Sequence, residues 1–251
     1  MTQVAERINV KSLVVEEPIR CVSPEWLSEP DKKEILKEID FLQERQDSAY
    51  VESVFKLLIL APELKERFTS ERDMFFLKNV SSNFFVRFNA LKLISPEDFK
   101  QAVEGIRNID FREVAVEHAQ KGNFAYLAHY KISFPGVFEQ LNLSDFQQFI
   151  PEDIQQKQLT DRTKLASELR IIFPEFKRRS FVSDLSLEKL KEFFDGAERV
   201  GEWIAALDCA FDLYVLSADR IIVDDFGVHA VYESTVELDI ASPQLPEVRR
   251  F

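Results

Sequence analysis

Glycine is scarce in this chain: six in 251 residues, well below the roughly 7% share of an average protein. Tight turns, phosphate-cradling loops and nucleotide-binding elbows draw on glycine's freedom at positive φ. The shortage therefore argues against a nucleotide-binding α/β fold and for helices joined by short polar turns. Cysteine is scarcer still. Cys21 and Cys209 are far apart, lack the CxxC spacing of a zinc site, and are too few for a disulfide framework. No GxSxG, HExxH, Walker or GxGxxG string occurs, so no cofactor and no metal is expected. No apolar run approaches the ~20 residues of a membrane span, and Met1 to Val15 lacks the basic start and apolar stretch of a secretory signal. The expectation is a cytoplasmic protein that makes no contact with membrane.

Positive charge is also in short supply. Lysine and arginine number 32 against 44 acidic residues, for a net charge of −12. Such a chain is repelled by phosphate backbones and anionic lipid, which disfavours nucleic acid and favours a basic protein or peptide as partner. Lys177-Arg178-Arg179 is the clearest local exception, and reads as a solvated helix face.

What the chain does hold is apolar and aromatic. Apolar residues make up 45%, charged residues 30%, and 23 residues are phenylalanine, the balance of a folded body rather than a disordered one. Its organising mark is proline. Val54–Leu60 runs into Ala61-Pro62-Glu63, Phe88–Ile94 into Ser95-Pro96-Glu97, Leu127–Phe134 into Pro135-Gly136, and Leu165–Phe173 into Pro174-Glu175. Ser23-Pro24-Glu25 resembles the second half of an earlier copy. Five residues before the proline stands Leu57, Leu91, Tyr130 or Leu169, and four before it, in the last three copies, Lys92, Lys131 or Arg170. A cation there suits the negative end of a helix, and the proline then stops that helix and starts the next from its first position. Pro62, Pro96, Pro135 and Pro174 are each expected at a helix-to-helix junction. The fold class that follows is mainly α, with stacked antiparallel helices forming a short irregular α-solenoid and extended or β segments at both ends.

The ends differ from the middle. Ile8–Val15 is rich in β-branched residues and reads as an extended arm or strand, whereas Ile35, Ile39 and Leu42 mark an amphipathic helix. Val200–Leu216 is apolar around most of its circumference, as a buried helix would be. Arg220–Val223 and Val228–Glu233 flank a turn-like run at Asp224–Gly227, which suggests a β-hairpin. The expected division is an arm over 1–22, a helical body over 23–219, a hairpin over 220–241 and a flexible tail over 242–251.

Chemistry-bearing candidates are few. Glu202, Asp208 and Asp212 would supply carboxylates for a metal or for acid–base work, although solvated acids are the plainer reading. His118 and His129 fall on either side of Gly122-Asn123, a helix break, and read as ordinary histidines. No catalytic residue is assigned. Phe75, Phe76, Phe84, Phe85 and Phe88 form the densest aromatic stretch, and would bind a partner if exposed together. The leading expectation is a non-enzymatic interaction or adaptor protein presenting an acidic helical surface to a basic partner. A carboxylate-based or metal-assisted hydrolase, and a structural subunit of a larger complex, are the alternatives.

Overall fold

A computed structural model of the chain describes residues 26–79, 84–104, 111–141, 143–151, 156–173, 176, 182–225 and 227–232. The expected N-terminal arm, Pro24, Pro174, Cys21, Lys177-Arg178-Arg179 and the C-terminal tail lie outside them. The protein is mainly α: α1 (Glu29–Glu44), α2 (Ala49–Leu60), α3 (Glu71–Asn79), α4 (Phe84–Ile94), α5 (Pro96–Glu104), α6 (Phe111–Gln120), α7 (Phe124–Ser133), α8 (Leu143–Phe146), α9 (Leu159–Ile172), α10 (Asp184–Val200) and α11 (Trp203–Ser217). Short 3-10 turns cover Pro62–Phe68, Pro135–Gln140 and Gln147–Phe149. A two-stranded antiparallel sheet follows, β1 (Arg220–Asp224) and β2 (Gly227–Val231), with Arg220 opposite Val231 and Asp224 opposite Gly227.

Local chemistry accounts for the helix ends. Ser28 caps α1 in both directions: its hydroxyl accepts from the Asp31 N–H at 3.3 Å, and its own N–H donates to the Asp31 carboxylate at 2.8 Å, a capping box. Gly201 ends α10 in the left-handed region at φ +75°, which costs glycine little. The apolar stretch read from Val200 onward therefore becomes a helix only from Trp203. Likewise Gly122, at φ +70°, separates α6 from α7 and puts His118 and His129 on different helices.

The prolines sit where a helix stops. Pro62, Pro96 and Pro135 each open the segment that follows α2, α4 and α7. One hydrogen bond recurs at four helix ends: Ala61, Ser95, Phe134 and Phe173, each the residue before a proline in sequence, donate their N–H groups to the carbonyls of Leu57, Leu91, Tyr130 and Leu169, at 2.7 to 2.8 Å. The apolar residue five before the proline thus supplies the last acceptor of its helix. It is also core, since all four side chains are buried.

Helices α2, α4, α7, α9 and α11 form the centre of the molecule. Each packs on the next, and α11 returns to pack on α2, so the stack of helices curls until its last member meets its first. Helices α5, α6 and α10 lie outside against α4, α7 and α11, and α1 lies over α2 and α11. The β-hairpin touches α2, α4, α7 and α9 and covers the end where their C-termini gather. Gly227 there lies beside Leu93 and Ile59.

That end concentrates helix C-termini and their unpaired carbonyls, and buried cations answer them. Lys92 Nζ donates to the Ile132 carbonyl at 2.9 Å and to that of Asp224 at 3.1 Å. Arg170 reaches the carbonyls of Val215, Leu216, Ala218 and Asp219. Each cation therefore serves the C-terminus of the neighbouring helix, a connection beyond the single-helix role that its spacing suggests. Lys92 and Lys131 also lie over the Phe99 and Phe138 rings, 5.7 and 5.8 Å from the centroids, and each ring comes three residues after its proline.

Candidate functional site

Away from the hairpin, four of the five central helices open on a cleft of about 180 Å³. Glu52, Phe55 and Lys56 come from α2, Tyr126 and His129 from α7, Lys164, Ser167 and Glu168 from α9, and Asp208, Phe211 and Asp212 from α11. Two other hollows lie on the outside. One is lined by Asp40, Arg67 and Asp73, and the other by α6 alone. Only the first of the three draws charged side chains from four helices to one place.

The floor of the cleft is aromatic. Phe55 is fully buried, with its ring centroid 5.9 Å from that of His129 and 6.1 Å from that of Phe211. Behind His129 a polar chain runs into α4: the Ser133 hydroxyl donates to Asn89 Oδ1, and Asn89 Nδ2 donates to His129 Nδ1 at 2.9 Å. With the Asn89 amide nitrogen toward the ring, Nδ1 is the acceptor and the imidazole proton sits on Nε2. Burial, aided by Lys56 and Lys164 and opposed by Glu52, pulls His129 down to about 4. It is neutral at pH 7.

One wall is a closed ion pair. Lys56 Nζ donates to Asp208 at 2.7 Å and to Glu52 at 2.9 Å. Burial works against the charge on Lys56, but Asp208 and Glu52 outweigh it and push its ammonium above the usual lysine range. Burial also opposes ionisation of Glu52, and Lys56 again prevails, holding that carboxyl below its usual range. Both groups are charged.

Two further acids of the cleft make no ion pair among the described residues. Asp212 accepts from the Ser167 hydroxyl at 2.8 Å. Burial, with Asp208 nearby, raises it to about 6 against that hydrogen bond. Glu168 has no hydrogen bond or ion pair among the described residues, and burial, with Asp212 and Glu52 adding to it, raises it to about 7. Cys209, half-buried, is pushed up to about 11 by burial and by Asp212 and Asp208, so its thiol stays protonated and is a poor nucleophile.

Of the residues singled out from sequence, Asp208 and Asp212 enter this cleft, while Glu202 stays exposed just before α11. Among the described residues, no three His, Cys, Asp or Glu side chains group as a metal site would require. Phe76 and Phe88 are buried at 7% and 3% exposure, and Phe75 is 59% exposed. The side chains of Phe84 and Phe85 lie outside the described residues. The five phenylalanines therefore do not form one exposed patch: two are core. His118, apart from the cleft floor, stacks on Tyr126 at 4.9 Å between centroids.

Sequence reasoning misses Glu52, Lys56, Lys164 and Glu168, yet a signal is there. Helices α2 and α11 are almost wholly apolar, and each carries a charged pair four residues apart, Glu52 with Lys56 and Asp208 with Asp212. Lys164 and Glu168 repeat that spacing on α9. Charges one turn apart share a face, and on helices otherwise destined for the core such a face must meet another like it. Comparison with protein families, with curated proteins and with solved structures returns no match to this chain. Among the described residues, no helix is long and apolar enough to cross a membrane.

Proposed function

We propose that this chain is a non-enzymatic binding protein whose cleft receives a basic side chain from a protein or peptide partner. The observation that carries this reading is Glu168. It is a carboxyl without a hydrogen bond or ion pair among the described residues, and it shares its surroundings with Asp212. Four carboxyls line the cleft against two lysines, and one of those lysines is already consumed by Glu52 and Asp208. An arriving ammonium or guanidinium would relieve the unfavourable burial of Glu168 and Asp212 and gain charge-assisted hydrogen bonds from both. The volume is below the roughly 300–1,000 Å³ of a drug-sized pocket and suits one long side chain.

The test is fluorescence anisotropy with a labelled octalysine peptide and a matched octaglutamate control. Saturable binding of the basic peptide is expected, weakened at least tenfold in Glu168→Gln/Asp212→Asn. Binding should be unchanged in Glu188→Gln/Glu192→Gln, which removes the same charge from exposed positions on α10. Equal weakening by both double variants would reduce the interaction to net charge and overturn the reading.

One observation favours a second reading, a carboxylate-based hydrolase. Glu168 and Asp212 titrate near neutrality while Glu52 is held low, the kind of separation that divides an acid from a base. Turnover of a chromogenic ester or glycoside panel, abolished by Glu168→Gln, would establish it over the binding role.

A further inference from the structure

Lys164 is the one cation of the cleft that has no carboxylate among the described residues. It stands one turn before Glu168 on α9, exposed, and no hydrogen bond or ion pair joins it to another described residue. Its charge nevertheless reaches into the site: it acts on Glu168, Glu52, Asp212 and His129. His129 offers a second open donor, since Asn89 occupies Nδ1 and the proton on Nε2 has no acceptor among the described residues. The cleft thus presents two kinds of unmet group. Glu168 and Asp212 call for a cation, and Lys164 and His129 Nε2–H call for an anion or a strong acceptor.

A lone basic side chain answers only the first demand. It would also displace water from the His129 Nε2–H without replacing its hydrogen bond, and a donor left unmet opposes binding. A ligand holding both charges answers both. Building on the binding reading above, we infer that the cleft selects a basic residue bearing a free α-carboxylate, either an arginine or lysine at the C-terminus of a peptide or the same amino acid free in solution. The side-chain cation lies against Glu168 and Asp212, and the carboxylate lies against Lys164 and His129. Tyr126 also lines the cleft, 37% exposed, with its ring stacked on His118.

The experiment is a calorimetric titration of the full chain with four probes: an acetylated tripeptide ending in arginine as the free acid, the same tripeptide as its C-terminal amide, a pentapeptide with that arginine internal and an amidated end, and free L-arginine. The free acid is expected to bind about tenfold more tightly than the amide or the internal form, and in Lys164→Met the ratio of acid to amide should fall below twofold. Lys164 is exposed, and an unchanged circular-dichroism spectrum would show that the variant folds. Free arginine binding as tightly as the free-acid peptide would assign the same site to the amino acid. Acid and amide binding equally well would overturn this inference and leave the binding reading standing, as would an acid preference that persists in Lys164→Met. No heat from any probe would overturn both.

Discussion

Arg170 Nη1 donates to the carbonyl of Val215 at 3.0 Å, joining the end of α9 to the end of α11. The same guanidinium holds the Leu216, Ala218 and Asp219 carbonyls, so one side chain satisfies the C-terminus of α11 and the approach to the hairpin. Its planar fork is what makes four acceptors reachable. Replacement by methionine keeps the buried stem and strands those carbonyls. A loss of about 3 kcal/mol is expected in urea unfolding, with Arg170→Lys intermediate. Arg199→Met, at an exposed position on α10, should cost less than about 0.5 kcal/mol. Equal costs at positions 170 and 199 would refute the role given to Arg170.

Asp73 ties three helices together. Its carboxylate accepts from Gln43 Nε2 of α1 at 2.6 Å, from the Tyr50 hydroxyl of α2 at 2.9 Å, and from the Ser70 hydroxyl ahead of α3. Gln43, Tyr50 and Asp73 are buried, and burial together with the Asp73 charge and hydrogen bond drives Tyr50 above the usual tyrosine range. Asp73→Ala would leave Gln43 and Tyr50 without their acceptor, at an expected cost of about 2–4 kcal/mol. Asp73→Asn preserves one acceptor oxygen and should lose less than half as much. If alanine and asparagine are equally damaging, the charge rather than the hydrogen bonding holds the site.

Gly227 combines two constraints that a double-mutant cycle can separate. Its φ of +123° is unfavourable for any residue with a Cβ, and a Cβ there would lie 3.1 Å from Leu93 Cδ2. Gly227→Ala is expected to destabilise by about 1–3 kcal/mol. In a Leu93→Ala background the contact disappears and only the backbone share remains, so the glycine substitution should cost measurably less there. An unchanged cost would place the whole effect in the backbone.

The features legible in the sequence are those whose causes are local. A proline ends the helix before it at each described junction, and the hairpin strands carry their own β-branched pattern, so the junctions at Pro62, Pro96 and Pro135 and the pairing of Arg220–Asp224 with Gly227–Val231 follow from neighbours in the chain. The return of α11 onto α2 has no such local cause, because residues some 150 positions apart make it. For the same reason spacing alone puts Lys92 and Arg170 near helix ends, while the helix each one serves is not readable from it. Phe76 and Phe88 resemble a surface patch in sequence only because aromatic density does not reveal which way a ring faces. The cleft lies between these extremes: Asp208 and Asp212 are visible as a pair, but Lys56 gives them meaning and comes from a distant helix.

Glu168 makes the site testable without any ligand. Its carboxyl titrates near an ordinary 4.5 when unfolded and at about 7 when folded. The folded state therefore holds the proton more tightly: the contribution to stability is fully present below pH 4.5 and is lost as pH rises through 7. Each tenfold gain in proton affinity corresponds to ~1.4 kcal/mol, and partial solvent access to the cleft reduces the whole to about 2 kcal/mol. Glutamine keeps the shape and cannot ionise. Glu168→Gln should thus match the wild type in urea at pH 4.5 and exceed it by about 2 kcal/mol at pH 8. His129 acts in the opposite sense, because its folded value near 4 lies below its unfolded one of about 6.5, so stability is lost as pH falls from 6.5 toward 4. Both proteins contain His129, and the difference between them cancels its share. A variant no more stable than wild type at pH 8 would mean that Glu168 has a partner or full hydration in solution, and the reading of Glu168 as an unpartnered carboxyl would have to be abandoned.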